Sequence, residues 1–190
     1  MTSEELERAI CKLQDRQEIL DCITAYCRGV DRMDRDLLLS TYHPDAIDDH
    51  GQIVGSREAF VDWLFDLTSR NHVATTHIIA NHYCTIEGDI AHAETYYIAA
   101  PMRKVEPQLM LSGGRYIDRL ERRNGKWAIA VRKVVKDWWG QPGDSAKSGV
   151  PPEIVNQSAP PSRDRSDPSY QRPLSVSDER LKQRAPPKPC

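Results

Sequence analysis

The chain predicts an α+β domain in which helices pack on one face of a curved antiparallel sheet. Two observations carry that prediction. Apolar residues recur at helical spacing up to about residue 68, and from Val73 onward the period falls to two. The helices also precede the strands instead of alternating with them, which argues for separate α and β layers rather than βαβ units. A third observation bounds the domain. Residues 141–190 hold ten of the thirteen prolines, many Ser, Arg and Asp, and almost no aromatics. Such a segment cannot build a core, so the expected folded unit is 1–140 and the rest is a tail. The tail is expected to stay extended or disordered, or to pack on a neighbouring subunit, with one short helix over Ser177–Gln183.

The first predicted helix covers residues 4–30. Leu6, Ile10, Leu13, Leu20 and Cys27 form a stripe, with Ile19, Ile23, Tyr26 and Val30 beside it. Ser3 is the expected N-cap. Gly29 weakens the far end, and Asp31 follows it. Asp34 caps a short helix over Asp36–Tyr42, stopped at His43-Pro44-Asp45. A short strand, Ala46–His50, and a turn over Gly51–Gly55 lead to Ser56, the cap of a third helix over 57–68. Four long strands complete the domain: Val73–Ile86, Ile90–Met102, Gln108–Glu121 and Trp127–Trp138. Glu87-Gly88-Asp89 turns the first pair. Asn124-Gly125, the strongest short hairpin signal in the chain, turns the last.

Charge and composition exclude several classes. Net charge is −2, with basic and acidic residues interspersed, so nothing draws the chain to nucleic acid or to an anionic membrane. No apolar run approaches the roughly 20 residues of a membrane span, and the polar, acidic N-terminus is not a secretory signal. Five cysteines without metal-type spacing read as small, reduced hydrophobes of a cytoplasmic protein. His72, His77 and His82 are spaced by five, so neighbours alternate faces on a strand and no zinc pair forms. Phosphate loop, dinucleotide fingerprint and nucleophile elbow are all missing; Ser112-Gly-Gly-Arg is a strand phrase.

Strand alternation places His77, Ile79, Asn81 and Tyr83 on one face of their strand, opposite Ala80, His82 and Cys84. On the last strand it groups Ala128, Ala130, Arg132 and Val134. One arginine among small residues reads as a pocket wall with a single charge, or as an arginine on a solvated face. An Asp that orients a His makes a general base, and an Arg opposite can stabilise a departing anion. Spacing alone does not bring Asp31, His77 and Arg132 together.

Several phrases resemble the SnoaL-like branch of the nuclear transport factor 2-like superfamily. They are Asp15-Arg-Gln-Glu-Ile-Leu-Asp21, Tyr26-Cys-Arg-Gly-Val-Asp31, Tyr42-His-Pro-Asp45, Gly55-Ser-Arg-Glu-Ala59, Thr75-Thr-His-Ile78 and Glu121-Arg-Arg-Asn-Gly-Lys-Trp127. The resemblance covers about residues 5–139 and implies a cone-shaped α+β barrel with a deep pocket. In its polar residues the chain is similar to gamma-hexachlorocyclohexane dehydrochlorinases, scytalone dehydratases and bile-acid 7α-dehydratases. That likeness implies a cofactor-independent lyase, a dehydratase first, with loss of halide or of formaldehyde as related eliminations, in which Asp31 and His77 form the base. Arg132 and Tyr26 would hold the departing group. Asp48, His50, Tyr42, Trp63, Asn81 and Tyr96 are candidates for the substrate pocket, with Trp63 and Tyr96 at its core or rim. His92 is the candidate for the second histidine of scytalone dehydratases. The same likeness implies a small apolar cyclic or aromatic substrate and a homo-oligomer, a trimer before a dimer. A ketosteroid-isomerase-like isomerase, or a non-catalytic binding or assembly module, is the alternative.

Overall fold

A computed structural model describes residues 1–105, 108–142, 166 and 168–182. Three helices come first: α1 (Ser3–Arg32), α2 (Arg35–Ser40) and, after two short strands, α3 (Arg57–Asn71). The strands are β1 (Tyr42–Asp49), β2 (Val54–Ser56), β3 (His72–Ala74), β4 (His77–Glu87), β5 (Ile90–Ala99), β6 (Met102–Arg103), β7 (Leu111–Arg123) and β8 (Lys126–Gly140). Six of them make one curved, unclosed sheet in the order β2-β1-β8-β7-β5-β4, and β3 pairs with β6 apart from it. The expected α+β architecture is therefore present, and the meander β4-β5-β7-β8 is antiparallel throughout. The short strand expected over Ala46–His50 is β1, which begins earlier, at Tyr42; the addition is its parallel pairing with β8, which brings Asp48 beside Arg132.

Local chemistry explains the helix ends. Thr2, not Ser3, caps α1: its hydroxyl accepts from the Glu5 amide while the Glu5 carboxylate accepts from the Thr2 amide. Asp34 caps α2, accepting from the Leu37 amide at 3.0 Å. α1 runs through Gly29 and stops at Met33, whose φ of 51° is left-handed. Asp31 therefore sits in the last helical turn. Gly29 is less a weak point than a contact: a Cβ there would lie 2.9 Å from the Leu38 Cβ, so glycine lets α2 approach α1.

The first half of α1 departs from the expected stripe. Leu6, Ile10 and Leu13 are exposed, and the core takes Ile19, Cys22, Ile23, Tyr26, Cys27 and Val30. Thirty helical residues span about 45 Å, more than the sheet beneath can cover, so the N-terminal turns overhang. Phe60 and Val61 of α3 close the same core.

Part of the tail lies on the outer face of the sheet. Leu174, 1% exposed, packs with Val176 against Ile117, Val131 and Val135. A short helix, α4 (Asp178–Leu181), follows and is capped by Ser177. Its Arg180 pairs with Asp49 at 3.1 Å and also donates to the Gly51 carbonyl. The helix expected over Ser177–Gln183 is thus shorter; residues 183–190, including Cys190, lie outside the described residues. Leu174→Ala should cost about 2–3 kcal/mol in urea unfolding, since it removes the buried side chain of a small cluster. An unchanged midpoint would mean that this segment adds nothing to the fold.

Candidate active site

The inner face of the sheet carries the polar residues, and three irregularities decide which ones. Between Ile79 and His82, β4 advances three residues while β5 advances two, from Tyr97 to Thr95. One extra residue reverses the alternation. His77 and Ile79 point inward before the bulge; His82, Cys84 and Ile86 do so after it. Asn81 and Tyr83 turn out, Tyr83 being 66% exposed. The placement of Asn81 in the pocket is therefore corrected. A second bulge lies at Ala130, since Arg119 pairs with Val131 and Leu120 with Ile129. Trp127 and Ile129 then share the inner face with Arg132 and Val134, while Ala128 and Ala130 face out. Small residues do not surround Arg132, and that expectation is also corrected. A third bulge, at Asp137, leaves Lys136 opposite Gly114 as the last inward residue before it.

Asp31 and His77 meet at one end of the cone. The Asp31 carboxylate accepts from the His77 ring nitrogen Nδ1 at 2.6 Å and from the His77 backbone amide at 2.8 Å. Burial opposes the ionisation of Asp31, but the hydrogen bonds and charge of His77 outweigh it and hold the carboxyl below its usual pKa. Whenever the imidazole is neutral, the charged Asp31 keeps its proton on Nδ1 and leaves the Nε2 lone pair free. That is the tautomer a general base needs. The pair remains reachable, with side-chain exposures of 15% for His77 and 11% for Asp31. A depressed carboxyl stabilises the fold above the unfolded pKa of about 3.9, and this contribution is lost as pH falls through the folded value. The melting-temperature gap between wild type and Asp31→Asn should accordingly narrow on acidification from neutral pH to about pH 3. A gap that stays constant would contradict the ion pair.

Arg132 lies deeper and is wholly buried. Asp118 grips it with two bonds of 2.7 Å, from Nε and Nη2. The guanidinium stands 4.0 Å from the Tyr26 ring centroid and 4.2 Å from that of Tyr116. Burial alone would lower its pKa, but the charge and hydrogen bonds of Asp118 raise it well above the ordinary value. Among the described residues only Nη1 is left without a partner. Any direct contact of Arg132 with a ligand is confined to that nitrogen. Tyr26 is equally buried, edge-on to Tyr42 and Tyr116 and stacked near Phe60. Burial pushes its phenol pKa far up, so it stays protonated.

The remaining candidates divide. Tyr42 donates to Asp48 at 2.6 Å, and His50 Nδ1 lies 3.2 Å from the other Asp48 oxygen. His50 stacks on Phe60 and adjoins Trp63. Tyr42, Asp48, His50 and Trp63 thus form one contact group. Asp49 points the other way, to Arg180. Tyr96 is corrected: it is exposed and pairs with Arg115 on the outer face, and the inward tyrosine is Tyr97. His92 also faces away from the cone, beside Arg119. Cys22 and Cys27 have thiols that burial pushes up to about 12, in keeping with inert hydrophobes.

Sequence reading missed Asp118, His82 and Lys136. Asp118 sits on the hairpin whose turn was legible, but unbulged pairing from Asn124-Gly125 sets it opposite Val131. The bulge moves it to Arg132. His82 was put on the wrong face. It shares a 2.8 Å hydrogen bond with Thr95, and burial lowers its pKa against the pull of Asp118. Lys136 carries a pKa that burial alone lowers. Among the described residues no group of three His, Cys, Asp or Glu is placed to hold a metal, and no helix is long and apolar enough to cross a membrane.

The SnoaL-like domain model matches residues 12–133. Among solved structures, a hexachlorocyclohexane dehydrochlorinase from Novosphingobium barchaimii superposes with a TM-score of 0.65 at 19% identity, covering 76% of this chain and 99% of its own. A protein named after scytalone dehydratase, from Novosphingobium aromaticivorans, gives 0.63 at 16% identity, covering 68% and 89%. A protein from Kribbella flavida gives 0.62 at 19%, covering 68% and 95%. At such identities the likeness is one of fold. No curated protein sequence matches the chain.

Proposed function

The chain belongs to the SnoaL-like domain family, and on that premise we propose that it is a cofactor-independent lyase acting on a small, largely apolar cyclic or aromatic substrate. The observation that carries the reading is the Asp31–His77 contact, with both bonds to one carboxylate and both side chains still partly exposed. His77 Nε2 removes a proton from a carbon next to an activating group. Asp31 keeps the tautomer and stabilises the imidazolium that forms. Arg132, through Nη1, and the Tyr26 phenol form the polar floor against which the departing group rests. The solved structures of similar fold that are named for dehydrochlorination and scytalone dehydration support an elimination. A metal-free chemistry, a trimeric assembly and a domain over 1–140 on whose sheet residues 174–180 are laid belong to the same proposal.

An isomerase would need a carboxylic base and oxyanion donors, and here the base-forming carboxylate is tied to an imidazole. A non-catalytic module would have no use for an orienting bond to His77. The test is a panel of small cyclic alcohols and halides bearing a ketone, followed by the ultraviolet absorbance of the conjugated alkene formed. Turnover by wild type and not by His77→Ala is the expected result. An isomer in place of an alkene, or no turnover of any member, would overturn the reading.

A further inference from the structure

Two histidine–carboxylate pairs occupy the cone, and the lyase reading uses one. The second stands on β1, with β8, β7 and β5 between it and β4. Asp48 is 0% exposed. One of its oxygens accepts from the Tyr42 hydroxyl at 2.6 Å, and the other faces His50 Nδ1 at 3.2 Å. Burial keeps the Tyr42 phenol protonated, so it is the donor and Asp48 the acceptor. The His50 ring is fixed in its plane by Phe60, 4.8 Å away between centroids at 30°, with Trp63 at 6.1 Å. Its side chain is 21% exposed while the carboxylate behind it has no exposure, so the ring is what a substrate can reach. Tyr26 of α1 packs on Phe60, which links this pair to the helix that delivers Asp31.

We propose that His50, held by Asp48, is the acid of the elimination, and that the leaving group for which this site is built is therefore a hydroxyl rather than a halide. The inference rests on the lyase reading above. Halide departs as a stable anion, and a base alone suffices to expel it. Hydroxide is a poor leaving group and must take a proton as its bond breaks. A buried carboxylate behind a second imidazole fits that need, because its contact with Nδ1 orients the ring and leaves Nε2 to donate. The acid step requires a proton on both ring nitrogens of His50. His77 Nε2 takes the proton from carbon, and the C–H electrons become the new C=C bond. The C–O pair leaves with oxygen, which receives the His50 Nε2 proton and departs as water. His77 ends protonated and His50 neutral. Loss of one proton to solvent and gain of another restores both, so the net reaction is substrate to alkene plus water.

The test compares two leaving groups on one carbon frame, 3-hydroxycyclohexanone and 3-chlorocyclohexanone, both of which give cyclohexenone. His50→Phe keeps an aromatic ring against Phe60 and Trp63 and removes the proton. It should slow loss of water by about 10²–10⁴-fold more than it slows loss of chloride. His77→Ala should depress both. Equal losses for the two substrates in His50→Phe would make His50 a packing residue and overturn the proposal. So would unchanged rates for both. A wild-type chain that expels chloride but not water would overturn it while leaving the lyase reading intact. A wild-type chain that expels neither would overturn the lyase reading itself.

Discussion

Replacing His77 with alanine is expected to lower kcat/KM for the elimination by about 10²–10⁴, the usual worth of a positioned general base. Asp31→Asn is expected to fall in the same range, for a geometric reason. In the wild type two donors converge on one carboxylate, the His77 backbone N–H and the Nδ1–H. An asparagine has only one acceptor oxygen. Either one donor loses its partner, or the ring moves its proton to Nε2 to accept from the amide at Nδ1. The second outcome removes the lone pair that takes the substrate proton. Because the two residues act as a unit, the double variant should be no slower than His77→Ala alone. Circular dichroism of His77→Ala should stay near wild type, while its neutral-pH melting temperature should fall as that of Asp31→Asn does, since both variants lose the Nδ1–carboxylate bond. Activity near wild type in both single variants would remove the dyad from the mechanism.

The residues of that dyad were suggested by the family resemblance and not by spacing, and their places hold in the structure because each sits at an element's edge. Asp31 closes the last turn of α1. His77 opens β4, upstream of any irregularity, where local sequence decides position. Legibility fails further along the strands. Alternation is a running count, and one inserted residue inverts everything beyond it. At Ala80–Asn81 this sent Asn81 outward and His82 inward. At Ala130 it removed two alanines from the face of Arg132 and aligned Asp118 with it. Nothing in composition singles out these bulges, because residues as weak in strands as Ala80 and Ala130 also stand in regular stretches, such as Ala91 and Ala93 of β5. The β1–β8 pairing was hidden for a different reason. A parallel contact between strands some eighty residues apart leaves no local pattern. Without it Asp48 and His50 are two polar residues before a turn, and with it they stand beside Arg132. The overhang of α1 was hidden too, since a helix that outruns its sheet keeps its periodicity. The order of elements survived all of this. It depends on where the hydrophobic period changes and not on which residue faces which.

The largest effect on stability is expected at Asp118. The Arg132 guanidinium has no exposure to solvent and lies between two tyrosine rings, with both Asp118 oxygens as its hydrogen-bond acceptors. Aromatic faces attract a cation, but at about 0.5–2 kcal/mol they cannot replace water around a buried charge. Asp118→Ala leaves that charge uncompensated and should cost about 3–5 kcal/mol, a large part of what a domain of this size has. Arg132→Met alone has the mirror problem, but a lone carboxyl can take up a proton in place of a partner. Burial already raises the Asp118 pKa, so this variant should lose less and become more stable as pH falls. The double variant Asp118→Leu with Arg132→Met replaces the pair by apolar groups and should recover most of the loss. Urea unfolding of the three proteins separates the cases. If Asp118→Ala unfolded at the wild-type midpoint, Arg132 would have to reach water or another acceptor. It would then be free to turn its guanidinium toward a bound substrate, and not held as the fixed floor of the cone.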